Sequence, residues 1–217
     1  MAEFEFKDIG GGYEVVSYRG NGGDVYVPSS FNGRPVISIG TFSFDYRNGI
    51  NKIVLPNTIK RIEHLAFHGC EMKTIVLPDS ITCIDNSAFE QSGLESVTLP
   101  PSITRINAKL FYYCTKLTSV TIPSSVKSID EGAFYNCKTL ESIRIPSSVD
   151  FISVDAFEDC AGLKKVYFDN PEGWYLTLGP EYISGNDCSS EDMEHPPTAA
   201  KIMTKFYHPV YRCWKRR

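Results

Sequence analysis

The chain has 217 residues, and its 22 basic and 26 acidic residues give a net charge of −4. Because a dedicated nucleic-acid-binding protein is usually basic, this balance argues against nucleic acid as the partner. Hydrophobic residues make up 42% of the chain, which is typical of a folded globular protein. No apolar run approaches the roughly 18 residues that a membrane helix needs.

The N-terminal residues are predicted to form short strands joined by glycine-rich turns. Apolar and polar side chains alternate in three stretches, which are residues 3–8, 13–18 and 24–27. Glycine-rich segments at 10–12 and 20–23 separate them. Alternation with period two indicates strands, and glycine clusters indicate turns. We therefore predict a β-meander that caps this end, within a first unit of residues 1–38. The alternating, acidic start of the chain does not resemble a signal peptide.

Residues 39–168 repeat one motif six times. A proline recurs every 22 or 23 residues, at Pro56, Pro78, Pro100, Pro123 and Pro146. A phenylalanine recurs at the same intervals, at Phe44, Phe67, Phe89, Phe111, Phe134 and Phe157. Each unit carries more apolar side chains than it could bury alone. Stacking of successive units would bury them against one another, so the sequence predicts a repeat solenoid.

Each unit contains a short predicted strand before its proline. Val120 and Ile122 alternate with polar residues, and Pro123 then ends the pairing. Strands of successive units are expected to pair in parallel, with a rise of roughly 4.8 Å per turn. Residues Glu131–Phe134 are expected to form one helical or 3₁₀ turn. The predicted architecture is therefore a stack of short parallel β-strands connected by short helical or 3₁₀ turns.

The repeated unit resembles that of a known family. Its pattern, LxxVxIPxxVxxIxxxAFxxC, is clearest in residues 117–137. This pattern resembles the BspA-type leucine-rich repeat, and Asn32–Val36 is similar to the family's opening segment. Departures from it are few, and they include Ser92, Leu110 and Asp169, which replace Cys, Ala and Pro. The resemblance implies a leucine-rich-repeat solenoid that binds proteins or glycoconjugates, often at a bacterial cell surface. It also implies a cell-surface or secreted location, for which the sequence shows no signal peptide or anchor.

Residues 169–217 are predicted to form a C-terminal cap. Seven acidic and no basic residues lie in 169–194, whereas six basic and no acidic residues lie in 201–217. Thr198 is a candidate helix N-cap. An apolar stripe at helical spacing follows, made of Ala199, Ile202, Met203 and Phe206. A helix near 198–207 is therefore expected to seal the last repeat. The alternative is a basic amphipathic helix that binds a membrane or a partner.

Candidate catalytic and metal-binding residues match no recognised site. Four cysteines share one repeat position and are expected to be small buried residues: Cys70, Cys114, Cys137 and Cys160. His64 and His68 have the spacing of a helical metal pair but lack a third ligand. Four further residues match no familiar zinc spacing and lack an orienting group: Cys188, His195, His208 and Cys213. We predict no catalytic residue, no metal and no cofactor.

The outward residues of the strands form the candidate partner-binding face. At the C-terminal end they combine hydroxyls with charged and aromatic side chains: Ser119, Thr121, Ser142, Arg144, Lys165 and Tyr167. Tyrosine and arginine are enriched in binding hot spots. We predict a non-catalytic module, expected to be a monomer, that binds a protein or surface glycoconjugate, with an anionic partner favoured. Nucleic acid and membrane insertion are not expected. The alternative is a structural spacer or capping region of a larger surface protein, and a hydrolase in the C-terminal segment is least favoured.

Overall fold

The computed structural model describes residues 3–153 and 155–172, together with the backbone of three strands between residues 174 and 216. These residues form a solenoid of seven stacked turns, as the repeat predicts. The helix predicted near 198–207 lies outside the described residues.

The described residues contain nineteen strands and no helix. In chain order the strands are β1 (Phe4–Asp8), β2 (Tyr13–Tyr18), β3 (Gly23–Tyr26), β4 (Ser30–Phe31), β5 (Arg34–Ile39), β6 (Ile50–Val54), β7 (Arg61–Ile62), β8 (Thr74–Val76), β9 (Cys83–Ile84), β10 (Ser96–Thr98), β11 (Arg105–Ile106), β12 (Ser119–Thr121), β13 (Ser128–Ile129), β14 (Ser142–Ile145), β15 (Phe151–Ser153), β16 (Lys165–Phe168), β17 (Trp174–Leu178), β18 (Tyr182–Asp187) and β19 (Arg212–Arg216). The strands of the repeats are short because each turn of 22 or 23 residues supplies a strand to both of two faces.

One face, called the strand face below, carries the strands that precede the prolines. It contains β3, β6, β8, β10, β12, β14 and β16. The strands from β3 to β12 pair in parallel with their neighbours, and so do β14 and β16, with residues at the same repeat position opposite one another. Ser96, for example, pairs with Thr74 on one side and with Ser119 on the other. The predicted parallel pairing before each proline is confirmed.

The opposite face consists of parallel strands that are extended at both ends by antiparallel ones. The parallel strands are β5, β7, β9, β11, β13 and β15. The antiparallel hairpin of β1 and β2 adds to this face through β2, which runs parallel to β5. At the other end β19 pairs antiparallel with β15, and β17 and β18 follow it. At the N-terminal end β2 therefore runs with the repeat direction and β1 runs against it, whereas at the C-terminal end β19 runs against it.

The predicted N-terminal meander is wrong in its third strand. Strand β3 does not pair with β2 but runs parallel to β6, as the first strand of the strand face. The physical reason is burial, because Val25 and Val27 enter the apolar core as the equivalent residues of later turns do. The chain between β3 and β5 also makes a small hairpin, in which β4 pairs antiparallel with β5 around Asn32 and Gly33.

A stack of aromatic rings runs through the core along the solenoid axis. The six repeated phenylalanines are buried, and successive ring centroids are 5.0 to 5.6 Å apart. Tyr18 extends the stack at the N-terminal end, 5.2 Å from Phe44, and Phe4 lies 5.1 Å beyond Tyr18. Because each ring contacts only the rings of adjacent turns, every turn depends on its neighbours for burial.

The segments around these phenylalanines form tight turns instead of the predicted helical or 3₁₀ turns. We call residues 41–46, 64–69, 86–91, 108–113, 131–136 and 155–159 the turn ridge. Left-handed φ angles recur two residues before and after each of the first five phenylalanines, as at Gly132 (φ 59°) and Asn136 (φ 59°), and two residues after Phe157. A right-handed helix requires negative φ throughout. With left-handed residues at these positions, some backbone N–H groups point towards the next repeat instead. The N–H of Phe67, for example, donates to the carbonyl of Ala88.

Candidate binding surface

The strand face presents two regular columns of outward side chains. One column contains Asp24, Lys52, Thr74, Ser96, Ser119, Ser142 and Lys165, and the other contains Tyr26, Val54, Val76, Thr98, Thr121, Arg144 and Tyr167. Strands in a sheet are about 4.8 Å apart, so side chains in one column can contact a ligand together. The inward residues between these columns are largely buried in the core.

All six residues proposed from the sequence are exposed on this surface. Ser142 lies opposite Lys165, and Arg144 lies opposite Tyr167 on the adjacent strand. The structure therefore brings these four together at the C-terminal end of the strand face. Ser119 and Thr121 lie on β12, nearer the middle of the face.

The positive charge expected at this end is partly neutralised. Arg144 Nε lies 2.6 Å from Asp169 Oδ1, and Lys164 Nζ lies 3.1 Å from Glu141 Oε1. Asp169 is the residue that replaces proline in the last repeat, so this departure from the pattern supplies a partner for Arg144. Lys165 forms no ion pair within the described part of the chain. The surface accordingly offers an anionic partner less free charge than the sequence suggests.

The outward column of the strand face extends further towards the N-terminus than the sequence analysis predicted, because Tyr26 belongs to it. Tyr26 is 64% exposed and Val76 is 44% exposed, and Val54 lies between them in the same column. Tyr26 stands two residues before Pro28, as Val54 stands two residues before Pro56. This shared position before a proline could have revealed Tyr26 as an outward residue. It was missed because the β4–β5 hairpin makes the interval between Pro28 and Pro56 longer than the repeat.

An open depression occupies the middle of the strand face. It has a volume of about 340 Å³, and its outer lining includes Thr74, Val76, Asp79, Ser96, Thr98 and Thr121. Hydroxyl groups and a single carboxylate line it, together with apolar side chains of the sheet. Such a surface can donate and accept hydrogen bonds, but it has neither an activated nucleophile nor a paired acid and base among these residues.

The cysteine and histidine candidates serve structural roles where the structure describes them. The four cysteines of the repeat column are free and buried. His64 Nδ1 is 2.8 Å from the carbonyl of Asn86, and His68 Nδ1 is 2.8 Å from Asp45 Oδ1. Within the described residues, no three potential metal ligands lie close enough to hold an ion. Cys188, His195 and His208 lie outside these residues, and Cys213 is on β19.

Comparison with known proteins gives one family and several related structures. The model of the BspA type leucine rich repeat region matches residues 37–164 in six copies. A crystal structure of a T. pallidum leucine rich repeat protein is 30% identical and covers 77% of this chain and 81% of that one, with a TM-score of 0.68. No functionally curated sequence matches the chain.

Two further structures are longer than this chain. A leucine rich cell surface protein from Faecalibacterium prausnitzii is 26% identical over 80% of this chain and 55% of its own, with a TM-score of 0.62. The pneumococcal vaccine antigen PcpA is 24% identical over 81% of this chain and 50% of its own, with a TM-score of 0.67, and supports the fold alone. The chain thus spans about half the length of these two proteins. With six copies of the repeat matched and the same solenoid in the related structures, the chain belongs to the BspA type leucine rich repeat family.

Proposed function

We propose that this chain is a non-catalytic module that binds a partner protein through the strand face. Its family consists generally of protein-binding or surface-related modules. The observation that carries the proposal is the exposed column from Tyr26 to Tyr167, which combines aromatic, apolar and hydroxyl groups in regular register. Tyrosines at both ends of the column are residues of the type that dominates interface energies.

We expect the contact to extend along the strand face beyond its central depression. The depression of about 340 Å³ lies between the two exposed tyrosines, and its lining is mostly small. An extended, mildly polar surface suits a folded protein or a surface glycoconjugate better than a small molecule. Since Arg144 is already paired with Asp169, contacts by Tyr26, Val76 and Tyr167 are expected to contribute more than charge.

Membrane insertion does not enter this proposal. No helix in the described part of the chain is long and apolar enough to cross a bilayer. One of the related proteins is described as a cell surface protein, and a location at the bacterial surface is our inference for this chain from that relative.

Site-specific crosslinking tests the strand face as the interface. A photoreactive amino acid at Thr121, on the strand face, should crosslink to a protein captured by the intact chain. The same amino acid at Lys127, just before β13 on the opposite face, should not crosslink. Tyr26→Ala and Tyr167→Ala should each weaken binding about tenfold, as expected for exposed hot-spot tyrosines, whereas Tyr46→Ala on the turn ridge should not.

The opposite pattern would contradict the proposal. Crosslinking from position 127 but not from 121 would place the interface on the other face. Full affinity in both Tyr26→Ala and Tyr167→Ala would show that the column carries no binding energy. Failure to capture any partner with a folded chain would favour the structural spacer.

A further inference from the structure

A second surface, on the turn ridge, combines stacked tyrosines with carboxylates. The ring centroids of Tyr112 and Tyr135 are 4.8 Å apart at 20°, because these residues occupy the same position in adjacent turns. Tyr113 lies 4.8 Å from Tyr112 and 5.5 Å from Tyr135, and it is 39% exposed. These three rings, which we call the tyrosine patch, form a continuous aromatic surface outside the strand face.

Acidic residues flank the tyrosine patch on both sides along the ridge. The residue after the repeated phenylalanine is Glu90, Tyr112, Tyr135 and Glu158 in four successive turns. Asp159 lies next to Glu158, and its Oδ2 accepts a hydrogen bond of 2.8 Å from the Tyr135 hydroxyl. The two rings are therefore bracketed by carboxylates at the spacing of the turns.

These carboxylates have no basic partner among the residues that the structure describes. Glu90, Glu158 and Asp159 form no salt bridge with any residue that the structure describes, whereas Asp130 and Asp169 elsewhere are each paired with arginine. Partial burial, followed by the charges of Asp159 and Asp155, raises the pKa of Glu158. A positive charge brought to this surface would relieve the repulsion among these groups.

The rings themselves can accept a cation. Lys109 Nζ lies 5.6 Å from the centroid of the Tyr112 ring, within the range of a cation–π contact. Lys109 is an exposed residue of the ridge, and it forms no salt bridge in the described part of the chain. Lys109 already occupies one face of the Tyr112 ring. An incoming ammonium or guanidinium group could still contact the exposed Tyr113 ring.

We propose that the tyrosine patch, with Glu90, Glu158 and Asp159, is a second binding surface that takes a lysine- or arginine-rich segment of a partner protein. The aromatic faces attract the cationic groups, and the flanking carboxylates pair with them. A basic segment satisfies both features at once, whereas an acidic segment would add to the repulsion. The surface is independent of the strand face, because the two lie on different parts of each turn.

A fluorescent hexalysine peptide tests this surface with the full chain. Its affinity is measured by anisotropy at low ionic strength for wild type and three variants. Tyr113→Ala, which leaves the net charge unchanged, should weaken binding about threefold by loss of a cation–π contact. Glu158→Gln with Asp159→Asn should weaken binding about fivefold, by loss of one exposed and one partly buried charge pair.

A matched control separates this surface from general attraction to an acidic protein. Glu95→Gln with Asp150→Asn removes the same two charges from exposed positions off the ridge and should change affinity less than twofold. Equal losses in the two double variants would overturn the proposal. Unchanged affinity in Tyr113→Ala would also overturn it, because the rings would then take no part. Neither result bears on Tyr26 and Tyr167, so a failure here is distinct from a failure of the strand face.

Discussion

The repeated cysteines explain how a single side chain can both fill the core and satisfy a buried carbonyl. The thiol of Cys114 donates to the carbonyl of Phe89 at 3.0 Å, and that of Cys160 donates to Phe134 at 2.9 Å. Cys137 makes the same contact with Phe111 at 3.2 Å. In the turn that lacks the cysteine, Ser92 Oγ lies 3.3 Å from Cys114 Sγ. Serine is accepted at this position because it too is small and can form a hydrogen bond.

Burial of these thiols predicts a loss of stability at alkaline pH. Burial raises the pKa of Cys114 to about 12, from its ordinary value of 9.0. Because the unfolded thiol ionises first, its contribution to stability is complete below pH 9.0 and is lost as the pH rises towards 12. At pH 10.5 the loss from this one group should be about 2 kcal/mol.

Comparison with Cys114→Ala isolates that thiol from other groups that titrate in the same range. The difference in unfolding free energy between wild type and variant, measured by urea denaturation, should shrink between pH 8 and pH 10.5 by about 2 kcal/mol. A difference that stays constant over this range would show that Cys114 is not buried as a thiol in solution.

Among the repeated elements, a serine two residues after Pro78, Pro123 and Pro146 connects one turn to the turn before it. Ser80 Oγ donates to the carbonyl of Ile59 at 2.7 Å, and Ser125 Oγ donates to Ile103 at 2.6 Å. Ser148 makes the equivalent bond to Val126 at 2.7 Å. Ser102 occupies the same repeat position but is exposed, and no described residue accepts its hydroxyl.

This difference between equivalent serines gives a matched pair of substitutions. Ser125→Ala should lower the unfolding free energy by about 1 kcal/mol, because the carbonyl of Ile103 loses a donor. Ser102→Ala should change it by less than about 0.5 kcal/mol, as for an ordinary surface substitution. Both are measured by chemical denaturation under one condition. Equal losses of unfolding free energy in the two variants would mean that the hydrogen bond of Ser125 contributes nothing to stability.

The regular spacing of the repeat predicted most of the strands. Tyr26 was missed because the β4–β5 hairpin interrupts that spacing. The strands before Pro56, Pro78 and Pro100 follow from alternating apolar residues and a recurring proline. The turn ridge was not predictable in the same way, because residues such as Leu65 (φ 53°) and Lys109 (φ 57°) adopt a left-handed conformation that their side chains do not favour. Inter-turn hydrogen bonds impose that conformation, and a single unit read alone does not contain them.

On the scale of the whole molecule, the N-terminal hairpin covers an otherwise open core. Phe4, Phe6 and Tyr18 lie over the first turn, and Phe6 stacks on Phe31 with centroids 4.4 Å apart. Strand β2 also pairs with the edge of β5, which would otherwise offer free backbone groups. Repeat proteins need such terminal units because the inner surface of a repeat is apolar.

Removal of this hairpin should promote self-association. A chain that begins at Gly23 would expose the ring of Phe44 and the edge of β5. Sedimentation velocity should then show larger species than the full chain does at the same concentration. A chain that lacks only residues 1–2 serves as the control and should sediment as the full chain does. Identical sedimentation of all three would show that the hairpin is not needed to cover the first turn.

The hydrogen bonds between adjacent turns also determine how such a molecule can change in length. In the described repeats, the hydrogen bonds between turns join adjacent turns, through the strands, the turn ridge and the serines. Loss or gain of one whole unit would move the ends by about 4.8 Å and leave every remaining interface intact. An insertion of half a unit would place polar residues against the phenylalanine stack. Gene duplication can therefore enlarge the exposed surface in discrete increments, each bringing one further strand and one further ridge position.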